Sequence, residues 1–210
     1  MLHDFVGKLA NDLIRKGYLK NDLIIDAFFE ISRVEFVPKE LEKEAEADIP
    51  LPIGYGQTIS QPATVATMLE LLEPERGHKV LDIGSGSGWT AALLSYAVGK
   101  EGKVIAVERN ANLLEFGKNN AEKFGYVSKG TAEFICADGS KGYSPEAPYD
   151  RILVSASAEY VPDELKAQLK IGGKMVIPIL HSLWYLEKKG EDDFLKEEYP
   201  GFSFVPLIIK

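Results

Sequence analysis

Cysteine is almost absent from this chain of 210 residues, in which Cys136 stands alone. No disulfide framework can form, and a reducing compartment is expected. Cys136 ends the apolar run Phe134-Ile135-Cys136, so it reads as a small core residue and not as a nucleophile. Histidine is nearly as scarce. His3, His78 and His181 have no spacing that suggests a metal site, and each reads as a surface or capping residue. Cations are the minority charge, with 24 Lys and Arg against 32 Asp and Glu, a net charge of −8 and a pI near 5.0. That balance lacks the footprint of a nucleic-acid binder. Long apolar runs are missing too: none approaches the ~18 residues of a membrane span. Acids and polar groups interrupt the first residues, which excludes a signal peptide. The expectation is a cytoplasmic, monomeric protein with neither nucleic acid nor membrane as partner.

What is present is alternation. Two amphipathic helices are predicted first: Leu2–Lys16, with Phe5, Leu9 and Leu13 inward, and Asp22–Ile31, with Ile24, Ile25 and Phe28 inward. Gly17 stops the first, and Asn21 or Asp22 caps the second. The charged run Lys39–Asp48 reads as a solvated surface helix or loop. Pro62 suits the first turn of a helix whose apolar face is Val65, Met68, Leu69 and Leu72, up to Pro74.

From His78 onward, strands and helices succeed each other. KVLDIG is a buried strand, WTAALLSYAV a helix closed by Gly99, and KVIAVE a second strand. Asn110 caps a helix through Phe124. AEFICAD and YDRILVSAS are the third and fourth strands, VPDELKAQLK is a helix, and IGGKMVIPIL is the fifth strand. SLWYLEKK and FSFVPLII read as a closing hairpin-like pair, which implies an antiparallel edge. The pattern means βαβ units and a mostly parallel, doubly wound α/β sheet. A single domain over 1–210 is predicted, with N-terminal helices and a covering segment at 1–75 and the core at 76–210.

In such sheets a ligand lies beyond the carboxyl ends of the strands, at the switch point. Gly84, Gly86 and Gly88, in GSGSG, follow the first core strand and allow a tight turn and close backbone approach. Glu108 ends the next strand, where an acid can accept ribose hydroxyls. A plain strand-to-helix turn is the alternative reading of the glycines, and the position of Glu108 counts against it. The dinucleotide fingerprint G-x-G-x-x-G is not met, because Trp89 stands where the last glycine belongs, and no Gly-Lys-Ser/Thr follows to make a P-loop. The form Asp82-Ile-Gly84-Ser85-Gly86-Ser87-Gly88 resembles the first motif of S-adenosylmethionine-dependent methyltransferases. That resemblance implies that Asp82 organises the loop near the methionine end and that Asp138 and Gly139 hold the adenine.

After the fourth strand the chain reads Val154-Ser155-Ala156-Ser157-Ala158, with neither the Asn/Asp-Pro-Pro-Tyr/Phe motif of adenine N-methylation nor metal-binding carboxylates. No general base is evident. A carboxylate nucleophile needs none, being ionised at neutral pH with a reference pKa of about 3.5–4. It needs alignment and a dry pocket. The polar segment IGYGQTISQP, Ile53–Pro62, supplies hydroxyls and amides for that purpose.

PLPIGYGQTISQP followed by VLDIGSGSGW closely resembles the protein-L-isoaspartate O-methyltransferase family. The similarity extends in order through RVEFVP (Arg33–Pro38), VIAVER, ADGSKGY, APYDRILVSA, LKIGGKMVIP and FVPLI. It implies methylation of the free α-carboxylate of isoaspartyl residues in damaged proteins, with S-adenosyl-L-homocysteine as product and no metal. The family's active-site serine falls on Ser60, with Thr58 and Ile59 beside it at the methionine end. As a plain helix cap Ser60 is badly placed, since Pro62 puts the cap slot on Gln61. An extended peptide is expected against Ile53, Gly54, Val154, Ser155 and Ala156. The chain departs from the family pattern at Glu46, Trp89, Ser157, Glu159 and Leu180-His181-Ser182, mostly on the expected substrate wall. Alternatives from the sequence are a same-fold enzyme acting on another peptide carboxylate or an RNA, a non-catalytic S-adenosylmethionine-binding module, and a dinucleotide oxidoreductase.

Overall fold

The computed structural model describes residues 7–208. His3, Phe5 and the predicted start of the first helix at Leu2 lie outside those residues, as does Ile209. Helix α1 (Lys8–Arg15) turns at Gly17 and is followed by α2 (Asp22–Glu30), where the Asn21 side chain accepts from the Leu23 N–H as a helix cap. Strands β1 (Leu51–Gly54) and β2 (Gln57–Ile59) pair as a small antiparallel hairpin that leads into α3 (Pro62–Leu72). The core then runs β3 (Lys79–Ile83), α4 (Trp89–Val98), β4 (Lys103–Glu108), α5 (Ala111–Glu122), β5 (Ala132–Cys136), β6 (Tyr149–Val154), α6 (Asp163–Gln168), β7 (Leu169–Ile179), β8 (Ser182–Lys188) and β9 (Phe194–Pro200).

The main sheet has the order β5-β4-β3-β6-β7-β8-β9. Its first five strands are parallel, and β8 and β9 add an antiparallel edge. The chain builds outward from β3 to β5 and then crosses back to β6, so the switch point lies between β3 and β6. Val80, Leu81 and Ile83 of β3 and Ile152, Leu153 and Val154 of β6 are all buried, as a parallel sheet covered on both faces requires. Helix α4 is apolar nearly all round. It lies between the sheet and α2, where Phe28 meets Trp89 edge-on with ring centroids 5.5 Å apart.

Three sequence expectations are corrected. The partner of SLWYLEKK is the strand Phe194–Pro200 and not FSFVPLII. Leu195, Lys196, Glu197 and Glu198 of β9 are solvent-exposed, so the strand carries no apolar alternation and reads as a loop. FSFVPLII contains Pro206, which has no N–H for a ladder. Its described residues, 202–208, lie as a strap whose Val205 and Leu207 backbones bond Ser157, at 2.8 and 2.7 Å. Cys136 is exposed, because it stands at the end of the edge strand β5. The acidic run is also only partly solvated. Glu46 accepts from the Leu9 N–H at 3.0 Å and Asp48 from the Ala63 N–H at 2.8 Å. These carboxylates satisfy the first turns of α1 and α3, whose own cap residues, Gly7 and Gln61, offer no side-chain bond.

Candidate active site

The carboxyl ends of β3, β4 and β6 open onto a cavity of about 400 Å³. Its floor is the turn from β3 into α4. Gly84, Gly86 and Gly88 all have left-handed φ values, of 77°, 48° and 84°. The first turn is tied to β4, as Gly84 and Ser85 N–H groups donate to the Val107 carbonyl at 2.8 and 3.2 Å. The turn also presses on α5. A Cβ at Gly88 would stand 2.5 Å from the Gly117 carbonyl oxygen, and one at Gly117 would stand 2.7 Å from that of Gly86. Two glycines facing each other let the loop sit against a helix, and Gly117 is a partner that sequence reading missed.

Glu108 projects from the end of β4 with both oxygens engaged. Gly86 N–H donates to Oε2 at 3.2 Å and Asn110 N–H to Oε1 at 2.9 Å. Asp138 stands after β5, where Oδ1 accepts from the Ser140 N–H and hydroxyl at 3.0 and 2.7 Å. Gly139 packs on Ile83. The roof is the β1–β2 hairpin, with Ile53 lying over Gly86. Thr58 and Ser60 face the cavity from its second strand and the residue after it. Ser155 and Ala156 after β6, with the strap Val205–Ile208, close the remaining side.

The residues singled out from sequence thus converge on one cavity: Ile53, Thr58, Ile59, Ser60, Gly84, Ser85, Gly86, Ser87, Glu108, Asp138, Gly139, Ser155 and Ala156 all line it. Four others do not reach its wall. Gly54 is at the exposed hairpin tip, Gly88 lies behind the loop against α5, and Val154 is buried inside the sheet. Asp82 is fully buried beneath the loop, where Oδ2 accepts from the Thr90 hydroxyl at 2.8 Å. Loss of water pushes its pKa up to about 7, against the Thr90 bond, which lowers it; Glu108 nearby adds to the rise. Wall residues that motif reading passed over include Tyr55, Gln57, Thr90 and Arg109. Tyr55, with φ 54° between Gly54 and Gly56, was signalled only by that pair of glycines.

The donor set suits a nucleoside cofactor with a charged amino-acid tail. Glu108 presents a carboxylate at the strand end, and in the loop Ser85 has a buried hydroxyl oxygen with no partner among the described residues. With the sheet order and the loop, these features define an S-adenosylmethionine-dependent methyltransferase fold. A Plasmodium falciparum crystal structure assigned as a protein-L-isoaspartate O-methyltransferase, in complex with S-adenosyl-L-homocysteine, superposes with a TM-score of 0.87 at 25% identity, covering 97% of this chain and 98% of that one. The family profile for protein-L-isoaspartate(D-aspartate) O-methyltransferase (PCMT) matches residues 5–210. The Methanopyrus kandleri protein-L-isoaspartate O-methyltransferase is 47% identical over 205 residues, 96% of this chain and 90% of its own. That of Thermococcus sibiricus is 46% identical over 207 residues, 96% and 92% of the two chains. The chain belongs to this family of S-adenosylmethionine-dependent protein-repair enzymes.

Proposed function

We propose that Ser60 orients the free α-carboxylate of an L-isoaspartyl residue in the cavity, and that the cofactor lies along Gly84–Ser87, Glu108, Asp138 and Gly139. One observation carries this reading: Ser60 lines the same cavity as the glycine loop, so one space is available to both partners of the transfer. S-adenosylmethionine supplies, when bound, a methyl group on a sulfonium that a carboxylate can displace without a base.

The chain then has three tasks. Glu108 accepts hydroxyl donors while the Gly86 and Asn110 amides keep it aimed. Asp82 works at one remove, fixing the start of α4 through Thr90. Ser60 and its neighbours align the carboxylate, while Ile53, Ala156 and Leu207 keep water away from it. A substrate defined by its backbone connectivity needs backbone recognition, and the chain around Ser155 and Ala156 provides it.

Family membership selects isoaspartyl proteins over the RNA, nicotinamide and non-catalytic alternatives. The same reading takes 1–210 as a single domain, supported by the packing of Phe28 on Trp89, in which residues 1–75 cover the core at 76–210. It also takes the protein to be a cytoplasmic monomer, to which its single exposed cysteine and acidic surface are suited. Among the described residues no helix is long and apolar enough to cross a membrane.

The test is methyl transfer from labelled S-adenosylmethionine to two peptides that differ only in isoaspartate against aspartate. Base-labile label on the isoaspartyl peptide alone is expected. Equal labelling of both peptides, or of neither despite tight S-adenosylhomocysteine binding, overturns the reading.

A further inference from the structure

Arg33 is 1% exposed, an unusual place for a guanidinium, and it does not touch the cavity. Its two terminal nitrogens address four backbone carbonyls. Nη1 donates to Ala45 at 2.9 Å and to Ala47 at 3.1 Å; Nη2 donates to Ile49 at 2.9 Å and to Ser60 at 3.1 Å. The segment before the hairpin and the residue after it are therefore held by one planar group. The guanidinium also lies 5.5 Å over the ring of Trp89, the first residue of α4, and the Trp89 indole N–H donates to the Ile31 carbonyl at 3.3 Å. One side chain thus touches both the residue that follows the roof hairpin and the start of α4, directly after the glycine loop. Burial lowers its pKa to about 10, with Asp48 and Glu46 opposing the fall, so the charge survives at neutral pH.

We propose that Arg33 is the positioning residue of the substrate site: by gripping the Ser60 carbonyl, it fixes the Ser60 hydroxyl relative to the glycine loop. Only a planar fork with several donors makes these four bonds while lying over an indole. Lysine would bring a point charge with at most three donors on a flexible stem. The inference rests on the reading that Ser60 orients the substrate carboxylate.

The test is a double-mutant cycle with Arg33→Lys, Ser60→Ala and the double variant, read as kcat/KM for an isoaspartyl peptide. S-adenosylhomocysteine affinity is measured alongside for each protein. Ser60→Ala keeps the carbonyl that Arg33 grips and removes only the hydroxyl. Arg33→Lys is expected to lower kcat/KM about tenfold or more in the parent and less than about threefold in the Ser60→Ala background, with cofactor affinity held within a few-fold. Unchanged activity of Ser60→Ala alone defeats the Ser60 reading and this proposal with it. If Ser60→Ala is impaired and Arg33→Lys costs the same factor in both backgrounds, only the Arg33 proposal falls. Should Arg33→Lys fail to bind S-adenosylhomocysteine, Arg33→Gln, with two donors, replaces it in the cycle. If neither binds, Arg33 serves the whole fold and the positioning role is refuted.

Discussion

Ser60 presents a hydroxyl at the cavity wall while its carbonyl is bonded behind it, so the side chain can act without the backbone moving. On the proposed role, removing that hydroxyl loses one bond to a charged substrate group, worth about 1.5–3 kcal/mol. Ser60→Ala is expected to lower kcat/KM for an isoaspartyl peptide by roughly 10- to 100-fold, and steady-state kinetics will show it. Asp82 predicts a different response. Its folded pKa of about 7 lies above the ordinary aspartate value, so between about pH 4 and 7 the folded chain binds more protons than the unfolded one. Its contribution to stability is greatest at low pH, declines as pH rises through that window, and is level above it. Unfolding free energies of the parent and of Asp82→Asn, measured from pH 4 to 8, should differ by an amount that falls in this way.

Elements show which signals a sequence carries plainly. The strands from β3 to β7 were legible because buried parallel strands are short apolar runs bounded by polar turns, as in KVLDIG and KVIAVE. The glycine loop and Glu108 were legible from motif spacing, and Ser60 only from the family resemblance. Strand β9 was not, since an exposed edge gives its side chains no face to bury. The contacts of Gly117 and of Arg33, a residue that entered only as part of the RVEFVP resemblance, were silent for another reason: their partners, Gly88 and Ser60, are distant in sequence. The acidic run misled in the same manner. Glu46 and Asp48 look like solvated charges until α1 and α3 bring their bare first turns to them. Glu46, a departure from the family pattern, gains a structural account there. Asp48→Ala should cost about 1 kcal/mol, as loss of a helix cap does. For a chain of this size the melting midpoint then drops by roughly 2–4 °C, which calorimetry can resolve.

At the scale of the whole molecule, the cavity belongs to no single stretch. Its wall takes Ile53 and Ser60 from the hairpin, Gly84 and Glu108 from the first half of the sheet, Ser155 from beyond the crossover, and Leu207 from the strap. Parallel pairing closes long chain loops before any contact rewards them, and such topologies fold slowly. The strap bonds Ser157, which is in place only after β6 has inserted beside β3. During refolding from denaturant, helical signal should therefore return first and the capacity to hold S-adenosylhomocysteine last, a lag that stopped-flow dichroism and ligand fluorescence can time. A repair enzyme built this way is itself inert for as long as it is incompletely folded, so a partly assembled copy has no means of esterifying carboxylates indiscriminately.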